Sequence, residues 1–168
     1  MLAFNKEAHD EWFTPPIYIK AVREVLGWID LDPFSSPRAN GVVGAGMIYT
    51  KEKSAFSSEW KNKTVFMNPP YSIGLCAKAV DRFLQQRDWH GFDGIVLTNS
   101  STDTKWAQKL LTSCDAVCFP NHRISFWNAD GKAQSGNPRG QMFLYFGSDI
   151  GSFKRVFGVF GKVMVNRC

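Results

Sequence analysis

The chain is poor in the residues that build metal and redox centres. It has four cysteines, Cys76, Cys114, Cys118 and Cys168, and no two share the CxxC spacing of a zinc or dithiol site. The three histidines, His9, His90 and His122, stand far from them in sequence. This spacing argues against a metal centre and predicts small buried thiols of a reducing cytosol. Long apolar runs are also missing, since nothing approaches the roughly 20 consecutive apolar residues that span a membrane. Met1 to Asp10 is mixed polar and acidic and has no apolar core of a secretion signal, so a cytoplasmic protein is expected. Internal repeats, low-complexity tracts and linkers are absent as well, which predicts one domain over residues 1–168.

Apolar surface is plentiful. Hydrophobic residues make up 44% of the chain and aromatics 14%, enough to fold around one core without covalent staples. The net charge of +5 is unevenly placed. Residues 1–120 carry 13 basic and 13 acidic side chains, which cancel. Residues 121–168 carry Arg123, Lys132, Arg139, Lys154, Arg155, Lys162 and Arg167 against Asp130 and Asp149 alone. A basic excess confined to the last third suits a polyanionic partner and argues against a small-molecule substrate.

Helical and strand patterns alternate along the chain. Thr14-Pro15 reads as the start of a helix, with Thr14 as N-cap and Pro15 in the first helical position. Ile17, Ala21, Val22, Val25 and Leu26 form its apolar face and Gly27 closes it. A short strand over 28–34 ends in Asp32-Pro33, and the Ser-, Pro-, Asn- and Gly-rich residues 35–46 read as a loop. Thr64 to Met67 is an apolar strand that stops at Asn68-Pro69-Pro70. A helix is expected at about 75–87, a strand at 95–97, a helix at 104–112 that places Asp103 near its N-cap, and strands at 116–119 and 141–146. The apolar residues of 153–163 suit a helix or a last strand. This alternation predicts an α/β three-layer sheet with mostly parallel buried strands. The polar, basic segment 121–140 is the one long irregular stretch, a length often kept for function. Trp60 and Trp106 read as core residues, and Trp12 as either core or site.

The tetrapeptide Asn68-Pro69-Pro70-Tyr71 carries the chemistry. In an open α/β sheet, ligands gather beyond the carboxyl ends of strands, where these residues lie. Two prolines stiffen the loop and remove two backbone donors, so carbonyl oxygens stand without competing amides. Asn68 adds a side-chain acceptor. Two converging acceptors suit an exocyclic NH2 group, which has two hydrogens to give. Taking both draws the nitrogen toward a tetrahedral shape and frees its lone pair for an incoming methyl group. Placement and fixed dipoles then supply most of the rate, without a strong base. Tyr71 offers a flat face on which a base can stack.

With these residues in view, the chain resembles the amino-methyltransferases, and most closely the short phage-type DNA N6-adenine methyltransferases. Trp12-Phe13-Thr14-Pro15-Pro16 resembles their N-terminal cofactor motif, Leu31-Asp32-Pro33-Phe34 their acidic strand end, and Asn68 to Ser72 their catalytic motif. Thr102-Asp103-Thr104-Lys105-Trp106 and Arg123-Ile124-Ser125-Phe126 also look familiar, so the resemblance runs through most of the chain. It implies a Rossmann-like methyltransferase sheet with a late antiparallel strand, and S-adenosylmethionine as cofactor. The partner it implies is double-stranded DNA, with the target adenine flipped out of the helix. Carried over by position, Asn68 and the Pro69 carbonyl accept from adenine N6, with Pro70 shaping the loop and Tyr71 stacking on the base. Trp12, Phe13, Thr14, Pro15, Asp32, Pro33 and Asn68 line the cofactor's place. Ser72, Arg123, Lys132 and Arg139 face DNA, with 121–140 as the recognition element. The resemblance also implies work in a bacterial host's cytoplasm, with evasion of restriction as the expected use.

Two features depart from the family's pattern. Ser35-Ser36-Pro37 stands where many relatives have a glycine-rich turn, which implies a cofactor held more by side chains or else bound weakly. Only 36 residues separate Asp32 from Asn68, leaving little room for further strands or a recognition domain. Candidates for a second, ribose-binding acid are Glu52 and Glu59. Two other functions fit the same residues: methylation of RNA or of a protein glutamine, and a nucleic-acid-binding module that kept the fold but lost the cofactor.

Overall fold

A computed structural model describes residues 12–50, 54–72, 74–128 and 130–166. Helices and strands follow one another as α1 (Pro16–Leu26), β1 (Leu31–Asp32), α2 (Pro37–Val43), β2 (Met47–Ile48), β3 (Thr64–Met67), α3 (Leu75–His90), β4 (Asp93–Asn99), α4 (Lys105–Ser113), β5 (Ala116–Pro120), β6 (Gln141–Phe146), α5 (Ile150–Phe157) and β7 (Gly161–Val165). The strands form one sheet in the order β2-β1-β3-β4-β6-β5-β7. β2, β1, β3 and β4 pair in parallel, while β6 runs against both β4 and β5, and β7 runs against β5. This is the Rossmann-like sheet expected from the sequence, with two late reversed strands instead of one.

Strand residues alternate between two cores, as the period of two demands. Phe66, Ile95, Leu97 and Phe143 face one cluster with Tyr18 and Val22 of α1 and Phe153 and Phe157 of α5. Val65, Met67, Val96 and Leu144 face the other, with Val80 and Phe83 of α3 and Leu110 of α4. Full burial of each such large side chain contributes roughly 1.5–3 kcal/mol, so the sheet is held from both sides. Trp60 is completely buried, and its indole N–H donates to the Ala55 carbonyl at 3.0 Å. Trp106 packs half-buried against the same core. Cys76, Cys114 and Cys118 are buried free thiols; Cys168 lies outside the described residues.

Several local expectations need correction. The N-cap of α1 is Pro15, so Pro16 opens the helix, and Thr14 is buried beneath it without capping. The apolar face is correspondingly centred on Tyr18, Ile19, Ala21 and Val22, which leaves Ile17 59% exposed. The strand expected over 28–34 shortens to Leu31–Asp32, and the 75–87 helix runs on to His90. Residues 35–46 are not a loop throughout: Pro37–Val43 is helix α2. Ser36 caps it by accepting from the Ala39 amide at 3.1 Å, Pro37 takes its first turn, and Gly44 leaves it at φ +59°. The turn residues are present, but they serve as helix ends. The apolar tail makes both a helix, α5, and a strand, β7.

β1, β3 and β4 deliver their carboxyl ends to one edge of the sheet, and the reversed β6 begins there. The loops after β1, β3 and β4 and the loop between β5 and β6 therefore meet at that edge.

Candidate active site

These loops enclose a cleft of about 1030 Å³, floored by Asp32, Asn68 and Asn99 at successive strand ends. Trp12, Phe13 and Thr14 form one wall, and Ser135 to Arg139 with Gln141 form another. A shallower depression on the outer face of α3, beside Lys78 and Arg82, holds none of the expected site residues.

At the centre, Pro69 and Pro70 end β3 because neither can donate to a ladder. Pro69 is buried and Asn68 half-buried. The Tyr71 hydroxyl lies 3.1 Å from Asn68 Oδ1, to which it donates, and 3.5 Å from the Leu97 carbonyl. This end of the side chain is enclosed beside Thr98 and Cys76, and the loss of water pushes the phenol well above its ordinary value. The residue is nevertheless 43% exposed, because the ring lies at the cleft while its hydroxyl is anchored inside. Asn68 Oδ1 has two lone pairs, so it accepts from Tyr71 and keeps one for a ligand.

Asp32 closes the floor under β1. It is 4% exposed, and its Oδ1 is sealed from water without a hydrogen-bond partner. The Ser35 hydroxyl and the Phe34 amide serve the carboxyl group, but burial outweighs them and pushes its pKa up to about 7. A buried carboxyl oxygen in this condition suits an ammonium or hydroxyl donor from a ligand. The side chains of the Ser35-Ser36 turn line the cleft beside it.

The N-terminal wall is tied to the irregular segment. Phe13 and Trp127 exchange main-chain hydrogen bonds of 2.8 and 2.9 Å, an isolated antiparallel bridge. Trp12 is 49% exposed and lines the cleft, so it is not packed in the core. Pro33 lines the cleft too, whereas Pro15 is buried behind it.

Of the residues expected to face DNA, Ser72 and Arg139 lie at the cleft. Arg123 and Lys132 are exposed but do not line it. Arg123 rests its guanidinium against Gly140, and Lys132 sits in a turn closed by Asn128. Glu59 is outside the cleft and paired with Lys61 at 2.6 Å, and Glu52 lies outside the described residues. No cluster of metal-ligating side chains occurs among the described residues. No described helix is long and apolar enough to cross a membrane.

Sequence reasoning missed the polar floor next to Asn68. Asn99, Gln141 and Asn137 all line the cleft and are joined by side-chain hydrogen bonds. Asn99 carries the same signal as Asn68, a polar amide directly after an apolar strand.

The family model described as DNA N-6-adenine-methyltransferase (Dam) matches residues 3–163. A protein of Haemophilus phage HP1 (strain HP1c1) named DNA N-6-adenine-methyltransferase is 29% identical over 99 residues. That alignment covers 58% of this chain and 56% of the phage protein, so the match spans little more than half of either.

Proposed function

The chain belongs to the DNA N-6-adenine-methyltransferase (Dam) family, and we propose that it methylates adenine N6 in double-stranded DNA, using S-adenosylmethionine and a target base turned out against Asn68 to Tyr71. The observation that carries this reading is the placement of Asn68-Pro69 and Asp32 at the ends of adjacent parallel strands, opening on one cleft.

The residues fit the cofactor. Asp32 Oδ1 is a buried acceptor in want of a donor, and S-adenosylmethionine carries an ammonium and ribose hydroxyls. Trp12, Phe13, Thr14 and Pro33 supply apolar and hydroxyl walls, and Ser35 and Ser36 add side-chain partners where relatives use glycine. Pro15 supports the wall from behind. Bound here, the cofactor would supply a methyl group on an electrophilic sulfonium.

Asn68 Oδ1 and the Pro69 carbonyl accept the two N6 hydrogens. This concentrates the lone pair on N6 and holds it in line for attack. Positive charge that would develop on N6 as the methyl carbon leaves the sulfonium, its bonding pair staying on sulfur as a neutral thioether, would be stabilised by both acceptors. The surplus proton leaves N6 for water, so no general base is needed. Tyr71 presents its ring face to the base, a contact worth about 1–3 kcal/mol. Turning the base out of the duplex costs a few kcal/mol. Ser72 and Arg139 at the rim offset part of this by holding the strand, and Arg123 and Lys132 reach phosphates farther out. The proposed setting is the cytoplasm of a bacterial host.

Labelled cofactor incubated separately with unmethylated DNA, RNA and protein tests the reading. Label in DNA as N6-methyladenine is the expected result. Label in RNA or in protein glutamine instead would redirect the acceptor, and cofactor binding absent beside retained DNA affinity would leave a binding module.

A further inference from the structure

Asn137, Gln141 and Asn99 form a relay of amide groups whose direction is set by the backbone. The Arg139 amide can only donate, and it lies 3.0 Å from Asn137 Oδ1. The Ile124 carbonyl can only accept, and it lies 3.1 Å from Asn137 Nδ2. These two contacts admit one orientation of the Asn137 amide. Its Nδ2 therefore donates to Gln141 Oε1 at 3.0 Å, which turns Gln141 Nε2 toward Asn99 Oδ1 at 3.1 Å. Gln141 is 5% exposed and sits directly opposite Asn99 in the β4–β6 ladder, so the relay is held by the sheet itself. With Oδ1 occupied, Asn99 is left with its Nδ2 hydrogens. Among the described residues these have no partner in the structure, and Asn99 lines the cleft.

The sheet order places this donor. Passing from β1 through β3 to β4, the cleft floor reads Asp32, Asn68, Asn99. Asn99 stands on the side of Asn68 away from the carboxyl group assigned to the cofactor, where the acceptor base must lie. Its backbone amide also touches the anchored Tyr71 hydroxyl, which ties it to the same loop.

We propose that Asn99 Nδ2 is a substrate-binding donor that reads the ring nitrogen next to the target amino group, with Gln141 and Asn137 as positioning residues; this rests on the reading of the site as an adenine methyltransferase. Adenine places an unprotonated ring nitrogen, N1 or N7, on each side of the carbon that bears N6. Asn68 and Pro69 accept from the amino group while Asn99 donates to its neighbour. The resulting accept–accept–donate pattern fits adenine and rejects guanine and thymine, which carry a carbonyl at the corresponding place.

The test is a cycle between protein and substrate. Wild type, Asn99→Ala and Asn99→Asp are assayed on a duplex carrying adenine, 1-deazaadenine or 7-deazaadenine at a mapped target. Asn99→Asp keeps the shape and still accepts from Gln141, but offers an acceptor where Nδ2 donated. It guards against a folding defect in the alanine variant, and thermal melting checks both. Loss of one hydrogen bond to substrate lowers kcat/KM by about tenfold or more. We expect that loss for Asn99→Ala on adenine, a larger one for Asn99→Asp, and the same loss for wild type on one of the deaza duplexes. On that duplex Asn99→Ala should lose nothing further. Wild type indifferent to both deaza bases, or losses that multiply on both, would overturn the assignment. If wild type forms no N6-methyladenine on any DNA, the parent reading fails with it; methylation with multiplying losses overturns Asn99 alone.

Discussion

Asp32 holds a carboxyl group whose burial favours the neutral form. With its pKa raised from the usual carboxylate range to about 7, the carboxyl is mostly protonated below that pH. The stability this contributes is fully present below the ordinary value near 4 and is lost as pH rises through about 7. A ligand ammonium or hydroxyl reverses the preference, because it favours the carboxylate. Cofactor binding should therefore tighten from pH 6 to pH 8, with release of a proton. Asp32→Asn should weaken cofactor binding tenfold or more and remove most of that pH dependence. The same variant should melt at a higher temperature than wild type at pH 8 without cofactor. Calorimetry and thermal melting at the two pH values check each part; a pH-independent wild type would contradict the role. At Tyr71 the ring and the hydroxyl separate. Tyr71→Phe keeps the stacking face but frees the Asn68 amide, so kcat should fall about tenfold with KM for DNA little changed, whereas Tyr71→Ala should raise KM as well. Equal kinetics for Tyr71→Phe and wild type would show that the Asn68 contact is idle. Asn68 and Asp32 were legible in the sequence because each stands at the end of a strand-like segment, and Tyr71 because it completes the tetrapeptide that Asn68 opens. Asn99 carried the same signal, but its partners Gln141 and Asn137 lie 42 and 38 residues away, and only the β4–β6 ladder brings them together.

Among the elements, α2 shows how composition misleads. Ser36, Pro37, Asn40 and Gly44 are loop-forming residues by habit, yet each serves a helix terminus here. The Asn40 side chain accepts from the Ala45 amide at 2.7 Å and donates to its carbonyl at 3.1 Å, closing the turn into β2. Gly44 also passes close to the Arg23 guanidinium, where a Cβ would collide. The helix starts directly after Ser35-Ser36 and puts Ser35, Ser36 and Ala39 in the cleft. Removing the cap in Ser36→Ala should destabilise the protein by about 1 kcal/mol and raise KM for the cofactor, with KM for DNA unchanged. Chemical denaturation and steady-state kinetics measure the two effects. The strands β3 to β6 were readable because each is an apolar run buried on both faces. β1 and β2 were not readable as two-residue strands, because pairing within the sheet sets their length and apolarity does not.

Among the described residues, the basic side chains of the last third are spread over more than one place. Arg139 is at the cleft and Arg123 beside Gly140. Arg155 is paired with Glu24 of α1 at 2.7 Å, and Lys154 lies on the same helix. Charge along the chain forecast a polyanionic partner but not which residues meet it, since that depends on how α5 folds back against α1. Affinity for an unmethylated duplex should fall steeply with salt. Arg139→Ala should weaken it and reduce the salt slope by about one, and Lys154→Ala should change neither. Fluorescence anisotropy across a salt series measures this, and equal slopes for Arg139→Ala and wild type would remove the rim contact. The most direct test of the methyl-transfer site is mass spectrometry of digested DNA after incubation with S-adenosylmethionine and either wild type or Asn68→Ala. The expected result is N6-methyladenine with wild type and a loss of at least a hundredfold with the variant, with its melting temperature preserved; equal product from the two proteins would contradict the site.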